Sequence, residues 1–255
     1  MSEQAGTPRR VALVTGGSRG IGAATAVALA KRDYDVIITY RNKAARAEEV
    51  VAEIAALGRA GLAVAADMTQ ADALAQLFAR VAEWGGALDL LVLNASGGLE
   101  RDIVAADPYY PLRLNRDAQL ATVDAALPLL EPGATIAFIT SHWAHRYGRV
   151  RQLPAYEPVA MSKHAWEVAL RERQDALAAR GVRLIVITGD LVEGTITPKL
   201  LARAADRIGQ ATDAPEDLPT TTEMGEAIAD AATDATLPTG HTVVVGRALE
   251  ELPRE

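Results

Sequence analysis

The chain has 255 residues, a formal net charge of −7 and 49% apolar residues. This is enough apolar material for a full core, and an acidic balance without a basic block argues against nucleic acid as the main partner. The absence of cysteine excludes disulfides and thiolate metal sites, and four histidines without close pairing argue against a structural zinc, so no metal is expected. Residues 1–8 read as a flexible polar tail without an apolar signal core, and no apolar run approaches membrane-spanning length. A soluble, cytoplasmic protein with no membrane partner is expected.

Val11 to Val14 is a short apolar run bounded by turn residues, the pattern of a fully buried parallel strand. It opens into Thr15-Gly16-Gly17-Ser18-Arg19-Gly20-Ile21-Gly22, after which Ile21, Thr25, Ala28 and Leu29 recur at helical spacing. Glycine tolerates positive φ and close backbone approach, and the start of the following helix offers unsatisfied N–H groups and a positive dipole end. Strand, glycine turn and helix in this order predict a nucleotide site formed by Gly16, Ser18, Arg19, Gly20, Ile21 and Gly22.

Asp35 to Tyr40 reads as the second strand, followed by a helix from Ala44 to Leu57. At the end of such a strand an acidic residue favours a free ribose 2′-hydroxyl, whereas an arginine favours a 2′-phosphate. Here Arg41 follows Tyr40 and Arg19 lies in the glycine turn, so two guanidinium groups would flank a phosphate with fork-like hydrogen bonds. That pair points to NADPH rather than NADH; the plainer reading is two ordinary surface arginines. The third strand, Gly61 to Ala66, ends at Asp67-Met68-Thr69, where Asp67 would accept a hydrogen bond from an adenine amine. Asp67 or Thr69 could equally cap the next helix, Gln70 to Trp84. Leu88 to Leu93 is the fourth strand and opens into Asn94-Ala95-Ser96-Gly97-Gly98.

A long helical segment from Pro108 to Leu129 contains Asn115, and Ala134 to Thr140 is the fifth strand, ending at Ser141-His142. His142 to Pro154 reads as a loop over the strand ends. Pro158 begins a helix, with Glu157 as a candidate cap, that continues through Lys163 to a stop at Gly181. Val182 to Thr188 is the sixth strand. Between Gly189 and Pro219 a short amphipathic helix, Pro198 to Ile208, suits a substrate lid, and Leu200, Leu201 and Ile208 give it an apolar face. A helix from Thr222 to Thr233 and a strand from Thr242 to Val245 close the chain. This alternation implies right-handed parallel crossovers and an α/β fold, a single doubly wound domain over residues 9–255 with a small helical lid at about 190–220.

With these pieces in this order, the chain resembles the short-chain dehydrogenase/reductase family over nearly its whole length. The matches are the glycine turn, Asp67, Asn94-Ala-Ser-Gly97, Asn115, Ser141 and Lys163. The resemblance implies a Rossmann-type domain with a seven-stranded parallel sheet in the order 3-2-1-4-5-6-7. It also implies that Gly16, Gly20 and Gly22 shape the turn under the pyrophosphate and that Asp67, with Met68 beside it, holds the adenine. Asn94 would line the ribose side, Lys163 would hold the nicotinamide ribose, and Ser141 and Asn115 would join the catalytic set. The helix from Pro158 to Arg180 would be the surface of a homodimer or homotetramer.

The family's tyrosine, four residues before the lysine, is missing: position 159 is valine, which has no exchangeable proton. The strand-six Pro-Gly is likewise replaced by Thr188-Gly189. Tyr156 lies seven residues before Lys163, and seven residues of α-helix turn through about 700° and rise about 10 Å, which returns the two side chains to one face. Tyr-x6-Lys resembles the enoyl-thioester reductase branch of the family. There, hydride goes to a β-carbon while charge develops on an oxygen several bonds away, within reach of a displaced acid. Lys163 would make the phenol more acidic. The expected activity is NADPH-dependent reduction of a conjugated enoyl or enone, an apolar or thioester-bound small molecule, with Tyr156 as proton donor. Tyr156 could instead merely pack at the helix start. Ser96 or Ser141 could polarise the substrate oxygen or only orient the loop. The alternatives are a ketone or imine reductase, its acid drawn from the loop of His142, His145 and Tyr147, from water or from substrate, and a non-enzymatic nucleotide sensor.

Overall fold

Strand β1 (Arg10–Val14) is buried along Val11–Val14 and sits between two neighbours, so its alternating side chains enter different halves of the core. Val11 and Leu13 pack on one face of the sheet, Ala12 and Val14 on the other. The computed structural model describes residues 9–207 and 217–254. The tail expected over residues 1–8 and the stretch 208–216 of the expected lid lie outside the described residues.

The other strands are β2 (Tyr34–Tyr40), β3 (Gly61–Ala65), β4 (Leu88–Leu93), β5 (Leu130–Ser141), β6 (Arg183–Gly189) and β7 (His241–Val245). They form one seven-stranded sheet in the order β3-β2-β1-β4-β5-β6-β7, as the family resemblance implies, and every pairing is parallel. The strand ends that carry the glycine turn, Asn94 and Ser141 therefore open on the same edge, at the point where chain order reverses from β1 to β4. The central strands are buried on both faces, while β3 and β7, at the edges, keep partial exposure.

Helices α1 (Gly20–Ala30) and α2 (Ala44–Ala56) cover one face, and α3 (Ala71–Gly85) covers the other. After β4 the chain forms α4 (Arg101–Ala106) and α5 (Tyr110–Leu112). The long helical segment expected from Pro108 to Leu129 is present from Tyr110 to Leu129 without a break, but it is not α-helical throughout. α5 passes into a π-helical turn, Arg113–Asp117, then into α6 (Ala118–Ala126) and a 3₁₀ turn, Leu127–Leu129. The π turn inserts an extra residue into the helical repeat and buries Asn115.

The loop expected at His142–Pro154 begins instead with a short helix, α7 (His142–His145), capped by Ser141. The following helix, α8 (Glu157–Glu172), has Tyr156 at its N-cap, so Glu157 is its first residue rather than its cap. It breaks at Arg173, and α9 (Gln174–Ala179) carries the chain to Gly181, whose φ of +74° marks the expected stop. The final helices are α10 (Ile196–Arg207) and α11 (Thr221–Thr233). α11 packs closely on α1: a Cβ at Gly225 would fall 2.7 Å from Ala24 backbone, so only glycine permits the approach. Among the described residues, no helix is long and apolar enough to cross a membrane.

Candidate active site

The glycine turn is held by backbone geometry. Gly16 and Gly20 adopt φ of +67° and +56°, which disfavour any side chain. At Gly22 a Cβ would run into the Gly16 carbonyl oxygen and lie 2.5 Å from Asn94 Nδ2. Arg19, the N-cap of α1, is extended and makes no side-chain cap, so the first N–H groups of the helix have no side-chain acceptor at its start. Thr15 at the end of β1 ties the turn to β4: its Oγ1 accepts from the backbone N–H of Asn94 at 2.9 Å and of Ala95 at 3.0 Å. The Asn94 amide donates to the carbonyls of Thr15 and Gly16 at 2.9 and 3.2 Å, so it braces the turn as well as lining it.

Around this turn lies a cleft of about 570 Å³. The expected Gly16, Ser18, Arg19, Gly20, Ile21, Gly22, Arg41, Asp67, Met68 and Asn94 all line it; Lys163 is not part of its lining. Asp67 Oδ1 accepts from both the backbone and the hydroxyl of Thr69, at 3.0 and 2.7 Å, and neither residue caps α3, whose N-cap is Gln70. The sequence reading missed several lining residues. Lys43 and Arg46 carry the basic character of Arg41 into α2, a charge run visible in the sequence. Tyr110, Glu100 and Thr195 arrive from segments with no local signal, placed there only by the fold.

Asn115 is buried and fully engaged. Its Oδ1 accepts from Ser96 Oγ at 3.0 Å and Gly97 N at 3.2 Å; its Nδ2 donates to Gly97 O at 2.9 Å and Ser162 Oγ at 3.0 Å. It therefore fastens the loop after β4 to α8, next to Lys163, and Ser96 is spent on that fastening. Burial lowers the Lys163 ammonium to about 8, although the residue as a whole keeps some exposure. Among the described residues nothing pairs with this ammonium in a hydrogen bond or ion pair.

Tyr156 and Ser141 are brought together. The Tyr156 side chain approaches Ser141 closely enough for the serine to draw the phenol pKa down, and Ser141 Oγ accepts from Ala144 N at 3.3 Å. Tyr156 is 6% exposed and meets Trp143 edge-on, with ring centroids 6.3 Å apart, in an apolar cluster that also holds Val150, Leu191 and Leu201. The acidification expected from Lys163 is not realised. Burial raises the phenol, nearby Ser141 alone draws it back, and the lysine does not figure in the balance. Val159 is buried where the ordinary tyrosine would stand, and a Cβ on Gly98 would come within 3.1 Å of it and 2.9 Å of Pro111.

The candidate acids of the 142–147 segment have other partners. His142 is fully buried with Nδ1 3.0 Å from Thr188 Oγ1, the residue replacing the usual proline; burial lowers its pKa, opposed by nearby Asp190. His145 Nδ1 lies 2.8 Å from Glu167 Oε1. The Tyr147 hydroxyl reaches Glu157 at 3.4 Å.

The family model for short chain dehydrogenases matches residues 10–204. The chain is 32% identical over 194 residues to 1-cyclohexenylcarbonyl-CoA reductase of Streptomyces collinus, covering 75% of this chain and 68% of that protein. Over 165 residues it is 34% identical to versicolorin reductase of Emericella nidulans, covering 64% of this chain and 61% of that protein. Among solved structures, a short chain dehydrogenase from Burkholderia cenocepacia in complex with NADP superposes with a TM-score of 0.76 at 30% identity, covering 95% of this chain and 98% of that one. The promiscuous reductase LugOII, described as catalysing a keto-reduction in lugdunomycin biosynthesis, superposes with a TM-score of 0.76 at 27% identity, covering 94% and 98%. The chain belongs to the short-chain dehydrogenase/reductase family and is an oxidoreductase of that family.

Proposed function

We propose that this protein is an NADPH-dependent reductase of a conjugated enoyl or enone substrate, with Tyr156 as the proton donor. The observation that carries the reading is the buried Tyr156 at the start of α8, held among apolar side chains beside Ser141 at the end of β5 and one helix turn from a position where valine has removed the usual acid. When bound, the reduced cofactor would supply a hydride, to the β-carbon of an enoyl group or to the carbon of a ketone. The glycines and Arg19 fit the pyrophosphate: two positive-φ glycines, a third that leaves no room for a Cβ, and a helix start without a competing side chain. Arg19, Arg41, Lys43 and Arg46 supply positive charge on the same cleft, which favours a 2′-phosphate.

Tyr156 would donate its proton to the substrate oxygen while Ser141 orients the phenol and shares the charge left on it. Burial keeps the phenol protonated at neutral pH, as a donor requires. Lys163, cationic below about pH 8 and unpaired, would hold the ribose hydroxyls. The apolar walls around Tyr156 suit an apolar acyl or ring substrate and exclude water from the proton transfer. The name of the Streptomyces collinus relative, a reductase of a cyclohexenylcarbonyl thioester, supports the enoyl assignment.

A ketone substrate is the second reading, and the keto-reduction attributed to LugOII favours it. NADPH deuterated on the transferred face, offered with a panel of enones, enoyl thioesters and ketones, separates the two. Deuterium on a β-carbon supports the enoyl reading, and deuterium on a carbinol carbon overturns it. Binding without transfer to any substrate would favour the nucleotide sensor.

A further inference from the structure

The adenosine end of the cleft contains a contact that spans two distant segments. Arg41, just beyond β2, donates from Nη1 to the hydroxyl of Tyr110 on α5 at 2.7 Å. Tyr110 is 6% exposed, and both residues line the cleft. The arginine sits on an exposed stretch, Arg41–Arg46, where a long side chain would otherwise sample many rotamers. We propose that Tyr110 is a positioning residue for the cofactor 2′-phosphate, holding the Arg41 guanidinium at the adenosine end of the cleft without neutralising it. The inference rests on the NADPH reading above.

The choice of a phenol matters. A carboxylate would hold the arginine equally well but would cancel its charge and compete with a phosphate for its N–H groups. A phenol accepts one hydrogen bond and leaves the remaining donors of the guanidinium fork free. Burial raises the Tyr110 pKa, against the lowering effect of Arg41, so the phenol stays neutral. The cleft's two carboxylates are both committed nearby: Asp67 binds Thr69, and Glu100 Oε2 accepts from Gly98 N at 2.7 Å. Among the described residues neither forms an ion pair with Arg41. The guanidinium is thus oriented with no carboxylate bonded to its fork, although the charges of Asp67 and Glu100 reach it from a distance, and its free N–H groups remain available to a phosphate.

The test uses the full chain and two matched fragments, adenosine 2′,5′-bisphosphate and 5′-AMP, titrated calorimetrically. Tyr110→Phe preserves the buried ring and removes only the hydroxyl. It is expected to weaken the bisphosphate by roughly three- to tenfold, the equivalent of one net hydrogen bond, while 5′-AMP changes little. Equal weakening of both fragments would mean that Tyr110 only shapes the cleft, and an unchanged bisphosphate affinity would mean that the contact is idle; either overturns the inference. Arg41→Ala separates this from the parent reading. If Arg41→Ala abolishes the preference for bisphosphate and Tyr110→Phe does not, the pairing role falls and the NADPH reading stands. If Arg41→Ala also leaves the preference intact, Arg41 does not read a 2′-phosphate and both fall.

Discussion

At the β1–α1 turn the site is made of backbone, and its parts lie within eight consecutive residues, Thr15 to Gly22. Where Tyr156 meets Ser141, with Lys163 two turns further along α8, the site is made of side chains from β5 and α8, set by a short helix, a π turn and an apolar cluster. The first region needs positive φ and the absence of Cβ atoms, requirements that glycine meets locally. The second needs several segments to converge, and its titrating groups are governed by burial rather than by one another. A contiguous backbone site tolerates no added atom. A convergent side-chain site tolerates packing changes but, in the proposed reaction, depends on a single proton.

The largest effect is expected at the convergent site. Tyr156→Phe should lower turnover by about 10²–10⁴-fold, the usual contribution of a positioned acid, with little change in cofactor affinity. Steady-state kinetics and a cofactor titration on the same preparation check both halves; undiminished turnover would return the proton-donor role to the 142–147 segment or to water. Gly22→Ala probes the contiguous site. Its methyl meets the Gly16 carbonyl and the Asn94 amide, so a cost of about 1–3 kcal/mol in stability and a clear loss of cofactor binding are expected in a denaturant melt and a titration.

Lys163 sharpens the contrast through pH. Its ammonium falls from 10.5 to about 8 on folding because of burial. Between these values the unfolded chain binds more protons than the folded one, so stability rises with pH through that window and the burial cost is fully present below about 8. Lys163→Met should therefore stabilise the protein by about 2 kcal/mol near neutral pH, a value reduced for the residue's partial exposure. The gain should vanish by about pH 10.5, and a pH-independent gain would assign it to packing instead. Turnover of the unaltered enzyme should decline as pH rises through about 8, as the cation proposed to hold the ribose is lost. The smallest effect belongs to the tie between the regions. Ser162→Ala removes one acceptor from the Asn115 amide, which keeps Gly97, and should cost about 1 kcal/mol in the same melts.

The sequence made the cleft legible because its signals are local. Val11–Val14 alternates into both faces of the core, the glycines occupy the positions where a Cβ fails, and Arg41 follows a buried strand directly. Strand order, too, was reachable through the family resemblance. The helical course of the segment after β4 was legible too, but its π turn was not, because nothing in Pro108–Leu129 announces it; within that turn Asn115 bonds at once to the 96–97 loop and to Ser162. His142 looks in the sequence like a loop acid, and only the fold sends it inward to Thr188. The spacing of Tyr156 and Lys163 likewise suggested an electrostatic partnership, whereas tertiary contacts buried the phenol against Trp143 and beside Ser141. The sequence by itself determined the alternation of strands and helices, the glycine turn and the loss of the usual tyrosine, since these depend on periodicity, backbone freedom and residue identity. Only the tertiary structure decided which polar groups face one another and which are stripped of water, because hydrogen-bond partners and local dielectric are set by segments far apart in the chain.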